Sequence, residues 1–247
     1  MADGVVRSIR LELLDGFRLV VDGHPIGVLN SAQRLLAYLT FHGPVPRVVA
    51  AGTLWTEVPE RHALARLRTA LWRCNRIVRG LITVDGIRLA LGSSVRIDVA
   101  ELNPSAVVVP DGPGGNANGS VPSLRSLRAR ELLPGWYDDW VIFERERLRL
   151  RRLHALEAAS AQMLAAGHYT ASLEFALEAV RSEPLRESAQ RAVILVHMAQ
   201  NNVAEAVRVY RRFRRLLLVD LGIEPSEELT NLVFAGLRRP ARGRIPA

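Results

Sequence analysis

The stretch Glu60-Arg61-His62-Ala63-Leu64-Ala65-Arg66-Leu67-Arg68-Thr69-Ala70-Leu71-Trp72-Arg73-Cys74-Asn75-Arg76-Ile77-Val78-Arg79 decides the reading of the first half of the chain. It follows Pro59 and reads as one helix. At ~100° per residue, Leu64, Leu67, Leu71, Cys74 and Val78 fall in one apolar stripe, and His62, Arg66, Thr69, Arg73 and Arg76 fall opposite. An ordinary solvated face mixes charges of both signs to gain i,i+4 pairs. Here Glu60 is the only carboxylate between Pro59 and Gly80, while six Arg share the stretch. A helix that reads duplex DNA needs this division. A core must hold it from behind while guanidinium forks reach phosphates and the N7/O6 edge of guanine in a groove ~12 Å wide. Thr69 adds a hydroxyl and a methyl suited to a phosphate or a thymine methyl. Arg68, to one side of the stripe, fits a phosphate clamp or a plain surface charge. His62, near the helix start, fits a phosphate contact or an ordinary exposed His.

Downstream, Leu81 to Val84 and Ile87 to Leu91 flank Asp85-Gly86, a strong hairpin signal. Arg88 on that hairpin is a candidate contact to the DNA backbone or minor groove, or else a cross-strand surface charge. Upstream, a helix fits Arg47 to Trp55. Before it, Asn30 or Ser31 can cap a helix through Thr40 that turns Leu35, Leu36 and Leu39 inward and stops at Gly43-Pro44. Further upstream, Ile9 to Leu14 and Phe17 to Val21 flank Asp15-Gly16, a two-residue turn signal, and Asp22-Gly23 turns the chain again. Sheet, three helices and hairpin is the order of an α+β winged helix, expected over residues 1–102.

Pro and Gly crowd together from Asn103 to Ser123, which predicts a linker over residues 103–125. From residue 126 to 247 the pattern is helical throughout. Leu153, Leu156, Ala159 and Met163 line one face; Ala206, Tyr210, Phe213 and Leu217 line another. Gly167, Tyr169, Ser172, Ala176, Ala179 and Pro184 sit at the offsets of a tetratricopeptide unit of ~34 residues, and Val203, Ala206 and Tyr210 return one period later. The second half is therefore expected to be an all-α, tetratricopeptide-like domain. Trp136, Tyr137 and Trp140 read as a structural plug or a partner contact, and Asp138-Asp139 as a cap for the following helix. Arg208, Arg211, Arg212 and Arg215 form a second basic stripe. It fits a solvated face, an acidic protein surface or flanking DNA.

The 247 residues are 49% hydrophobic, enough for real cores, and the net charge of +8 suits an anionic partner. Every one of the 33 cationic Lys+Arg residues is Arg, as a GC-rich genome would give. Cys74 is the single cysteine, which excludes an internal disulfide and leaves no metal-site spacing with the six His. No apolar run reaches the ~18 residues of a membrane span, and Met1-Ala2-Asp3-Gly4 does not open a signal peptide. A cytoplasmic protein without membrane partner or cofactor is expected. A phosphate loop with Lys is impossible in a chain lacking Lys, and neither G-x-S-x-G nor H-E-x-x-H occurs, which speaks against an enzyme. These residues leave two functions open: a DNA-binding regulator, or an adaptor whose winged helix contacts protein only.

Ser31-Ala32-Gln33-Arg34-Leu35-Leu36, Gly52-Thr53-Leu54-Trp55 and Leu67-Arg68-Thr69-Ala70-Leu71-Trp72-Arg73 resemble the OmpR-like DNA-binding domain of the antibiotic regulatory proteins of actinobacteria, the SARP family. Leu133-Pro134-Gly135-Trp136-Tyr137-Asp138-Asp139-Trp140, Glu144-Arg145-Glu146-Arg147-Leu148 and Leu221-Gly222-Ile223-Glu224-Pro225-Ser226 resemble hallmark segments of that family's bacterial transcriptional activation domain. The resemblance implies a transcriptional activator that binds direct repeats near promoters as a side-by-side homodimer and engages RNA polymerase subunits. Carried over by position, the base- and phosphate-facing residues are Arg66, Thr69, Arg73 and Arg76. Cys74-Asn75 departs from the family's usual Leu and basic residue, which thins the expected phosphate grip.

Overall fold

The computed structural model describes residues 8–102, 124, 127 and 130–237. The Gly/Pro-rich stretch from Asn103 to Ser123 lies outside them. The chain divides into two compact units. One holds the residues up to Leu102 together with Arg130–Arg147, and the other holds those from Leu148 onward with the segment before Arg130.

The first unit begins with β1 (Ile9–Glu12), β2 (Arg18–Val21) and β3 (His24–Ile26). With β7 (Val95–Ile97) they form a four-stranded sheet in the order β3-β2-β1-β7, β7 running parallel to β1. Between β3 and β7 come α1 (Asn30–His42), β4 (Val45–Pro46), α2 (Arg47–Leu54), α3 (Glu60–Ile77), β5 (Ile82–Asp85) and β6 (Arg88–Leu91). The order β4-β6-β5 makes a small second sheet, and β5 and β6 are the wing. The unit is the expected winged helix.

Of the three turns read from sequence, two depart from expectation. Asp15-Gly16 does not close a two-residue hairpin, because Glu12 already pairs with Arg18. Leu13 and Leu14 are both buried, which a strictly alternating strand cannot achieve. They leave the ladder instead, and their amides donate to the buried Asp98 carboxylate at 3.0 Å each. Asp22-Gly23 does form a two-residue loop, with both residues at positive φ and Val21 paired with His24. In the wing the loop is shifted by one residue: Asp85 pairs with Arg88, leaving Gly86-Ile87 at the tip, Gly86 at φ 56°.

Neither Asn30 nor Ser31 caps α1. Leu29 occupies the N-cap without a side-chain bond, and Gln33 Nε2 fastens the first turn by donating to the Val28 carbonyl at 2.7 Å. At the other end a Cβ on Gly43 would lie 2.7 Å from the Leu39 carbonyl oxygen, so the helix stop requires glycine there.

Asp138 and Asp139 divide the capping role differently from expectation. The Asp138 backbone carbonyl accepts the amides of Val141 and Ile142, while its carboxylate forms an ion pair with Arg34 of α1. Leu132 bridges Leu14, Trp136 stacks on Phe17 with centroids 6.3 Å apart, and Trp140 meets Tyr38 edge-on at 5.5 Å. Two of the three clustered aromatics thus pack within the winged-helix unit, and Tyr137, 80% exposed, does not.

The second unit continues α4 (Asp139–Ala165), which starts in the first unit, and adds α5 (Tyr169–Ser182), α6 (Glu187–Ala199), α7 (Val203–Leu221) and α8 (Glu227–Leu237). The first residues of α5 and α7 are 34 positions apart, matching the repeat read from sequence. Ser172 and Ala206, equivalent within it, are both fully buried, and the Ser172 hydroxyl is satisfied by the Ser160 carbonyl at 2.7 Å. Leu156, Ala159, Phe175 and Ala179 make one core cluster; Ile194, Ala206, Tyr210, Phe213 and Leu217 make another.

Candidate nucleic-acid interface

The 18 residues of α3 bury Ala63, Leu67, Ala70, Leu71 and Cys74. Leu64, expected in that stripe, is only half-buried; the buried arc is rotated slightly toward the two alanines, whose small side chains admit a neighbouring helix closely. Burial pushes the Cys74 thiol up to about 12, so it stays neutral and behaves as a small apolar residue.

Outward, His62, Arg66, Arg68, Thr69 and Arg76 are all exposed, and Arg73 is half-buried at the edge of the face. Each of the six has a distinct environment. Arg66 forms an exposed ion pair with Glu57 in the turn before α3. A backbone hydrogen bond in that turn, then the Arg66 guanidinium, holds the Glu57 carboxyl below its ordinary range. Arg73 donates through one terminal guanidinium nitrogen, Nη1, to the Ser31 hydroxyl at 2.9 Å, which holds that nitrogen against the first turn of α1. Arg76 lies over the Trp72 ring, 4.9 Å from its centroid. The Thr69 hydroxyl donates to the Ala65 carbonyl at 3.2 Å, leaving its methyl and lone pairs outward. Arg68 and His62 have no ion-pair partner among the described residues.

Arg88 stands apart from these six, exposed at the first position of β6. Its backbone pairs with Asp85, and the neighbouring wing residues Val84 and Ile87 are 47% and 72% exposed. The α3 residues therefore share one helix face, and Arg88 belongs to the separate hairpin that follows it.

Five contributors escaped the sequence reading. Arg61 is exposed on the Arg68 side of α3, where the same wheel would have put it, Arg79 is exposed in the turn just past the end of the helix, and exposed Trp72 carries the Arg76 guanidinium. Glu57 and Ser31 had no usable signal. Each acts across a loop or from another helix, Ser31 from 42 positions away. No cluster of three His, Cys, Asp or Glu able to hold a metal occurs among the described residues, and no helix of theirs is long and apolar enough to cross a membrane.

The family described as bacterial transcriptional activator domain matches residues 124–235. The regulatory protein AfsR of Streptomyces coelicolor is 27% identical over 241 residues, covering 91% of this chain and 24% of that protein. The regulatory protein DnrI of Streptomyces peucetius is 25% identical over 223 residues, covering 79% of this chain and 78% of that one. The chain is similar to regulators of the SARP type. AfsR of Streptomyces griseus is 29% identical over 257 residues, 99% of this chain against 25% of that protein. The chain thus spans about a quarter of the length of either AfsR. Among solved structures, Mycobacterium tuberculosis EmbR in complex with a low-affinity phosphopeptide superposes with a TM-score of 0.74 at 19% identity. The match covers 94% of this chain and 65% of that one, and shows that the fold is shared. All three of these relatives are named as regulatory proteins.

Proposed function

We propose that this chain is a sequence-specific, duplex-DNA-binding transcriptional activator. The observation that carries the reading is the outward face of α3, where five Arg and one Glu stand on a helix whose other side is locked into a core. In this reading α3 lies in the major groove, with Arg73 and Arg76 toward base edges and Arg66, Arg68, Thr69 and His62 toward phosphates and thymine methyls. Arg88 on the wing reaches the adjacent backbone or minor groove. Residues 1–102 act as the DNA-binding domain, and residues 126–247, beyond the 103–125 linker, as the activation domain that engages RNA polymerase subunits. The chain binds direct repeats near promoters as a homodimer formed on DNA.

The Ser31 bond to Arg73 supports a base-reading role for that residue. A guanidinium already held by one nitrogen loses less freedom on meeting a base edge through its other nitrogens than a free one does. The test is genome-wide mapping of bound sites for the wild type and for Arg73→Ala. The wild type should return a repeated motif, and the variant should relax one base position within each repeat. A wild-type map without a shared motif would exclude sequence-specific recognition.

A further inference from the structure

A concavity in the helical unit lies between α5, α6 and α7 and has a volume of about 660 Å³. Its walls are apolar, from Leu177, Val180, Val193, Leu216 and Val219, and its rim carries Arg181, Arg212 and Arg215. Two of the apolar residues stand at the mouth in solvent, Leu177 at 49% and Val219 at 77% exposure. The only side-chain amide on the lining is Gln190, and its Nε2 is already spent on the Pro184 carbonyl at 2.9 Å. A polar small molecule therefore finds few groups to orient it, whereas an apolar side chain finds a ready seat.

The rim decides what kind of chain the side chain belongs to. Arg181 is tied to the buried Glu178. Arg212 and Arg215, with Arg211 beside them, have no carboxylate partner among the described residues. Arg212 and Arg215 also line a second, shallower depression with Ala204, Val207, Arg208 and Arg211. An apolar slot and a cationic shelf thus adjoin along α7 and share two guanidinium groups. The chain's own segment from Asn103 to Ser123 carries a single carboxylate, Asp111, and a second copy brings a net charge of +8, so neither supplies the complementary charge.

We infer that the α5–α7 groove is a docking site for an acidic peptide segment of a partner protein, one or two bulky apolar side chains seating in the slot and flanking Asp or Glu side chains meeting Arg211, Arg212 and Arg215. The apolar anchors give the contact its depth, and the guanidinium row selects the sign of the partner. The inference stands independently of the DNA reading of α3, because it uses no residue of the winged-helix unit.

The test uses the full chain and a panel of fluorescein-labelled peptides of about 12 residues, each with four Glu or Asp flanking two Leu, Phe or Trp. Matched peptides replace the acids with Lys or the anchors with Ser. At least one acidic, anchored peptide should bind, with its Lys and Ser counterparts weaker by tenfold or more. Arg212→Ser with Arg215→Ser should lower that affinity at least tenfold, and so should Leu177→Ser with Val219→Ser. All four positions are outside the buried core clusters, and far-ultraviolet circular dichroism confirms that each variant is folded. Absence of binding across the panel, or equal binding of the Lys peptides, overturns the assignment. A loss of duplex affinity in the arginine variant with peptide binding unchanged also overturns it, and makes the shelf a nucleic-acid contact.

Discussion

Helices α3 and α7 carry charge of the same sign and differ in what surrounds it. Each holds five Arg within its helical span and buries a continuous apolar stripe behind them. Composition alone would assign them the same partner. The α3 arginines stand on a helix framed by α1, α2 and a wing hairpin, and the one carboxylate that engages them among the described residues, Glu57, comes from the preceding turn. On α7, Arg208 and Arg214 are neutralised by Glu205 and Glu224 at 2.6 Å each, and the remaining three line the shelf of an apolar groove. A projecting cationic helix suits a groove in its partner; a cationic rim around a slot suits a side chain from its partner. The sign of the charge names an anion, and the shape next to it names which anion.

The largest effects should come from removing the cores that hold the two faces. Phe213→Ala behind α7 should cost about 3–5 kcal/mol and Leu67→Ala behind α3 about 2–5 kcal/mol, read from urea unfolding midpoints. Both residues are 1% exposed. Losses below about 1 kcal/mol would mean that neither stripe anchors its helix as described.

Exchanging single cations should separate the two faces. Arg73→Ala should weaken duplex binding by about 1–3 kcal/mol, while Arg211→Ala should leave it unchanged. Fluorescence anisotropy with a labelled operator fragment measures both, and equal losses would erase the distinction between the helices.

A gain of function sharpens the same contrast. Glu57→Gln frees Arg66 from its exposed pair and should tighten duplex binding, by less than about tenfold because surface pairs are weak competitors. Reduced affinity would show that Glu57 orients Arg66 for contact.

The smallest effects concern acid stability, with opposite signs in the two units. Burial alone would raise the Glu157 carboxyl, but Arg186 at 2.7 Å and Ser188 at 2.6 Å outweigh it and hold the group below its ordinary 4.5. Its stabilising contribution is therefore complete above 4.5 and is lost as pH falls through the lower folded value. In the winged helix, burial lifts Asp98 above 3.8 despite the amides of Leu14 and Leu13. That group's contribution shrinks as pH rises through the interval above 3.8 and is constant beyond it. Thermal midpoints between about pH 3 and 6 should show less acid-side loss in Glu157→Gln, and Asp98→Asn should remove the opposing trend. Parallel profiles for both variants and the wild type would contradict the assignment.

Periodicity made the helices legible, since apolar spacing records which side of an element faces its core. α2 and α3 end within about two residues of their expected limits, and the repeat offset between α5 and α7 was readable as well. What escaped was set by tertiary contacts. Leu13 and Leu14 look like the end of a strand, yet a carboxylate from Asp98, 85 and 84 positions away, takes their amides. Ser31 looks like a cap and instead accepts a hydrogen bond from Arg73. Asp138 looks like a side-chain cap, and its carboxylate pairs with Arg34, 104 positions away. On α3 the wheel found the exposed cations, but which of them are tethered depends on α1 and the preceding turn.

The most direct test of the account is the salt dependence of duplex affinity. With about six phosphate contacts, binding should fall on the order of a thousandfold between roughly 50 and 200 mM salt. Arg68→Ala, which removes an untethered cation, should lower the log–log slope by about one. Duplex binding that is absent or indifferent to salt, or a slope that Arg68→Ala leaves untouched together with Arg66→Ala and Arg76→Ala, would mean that the α3 face does not meet DNA.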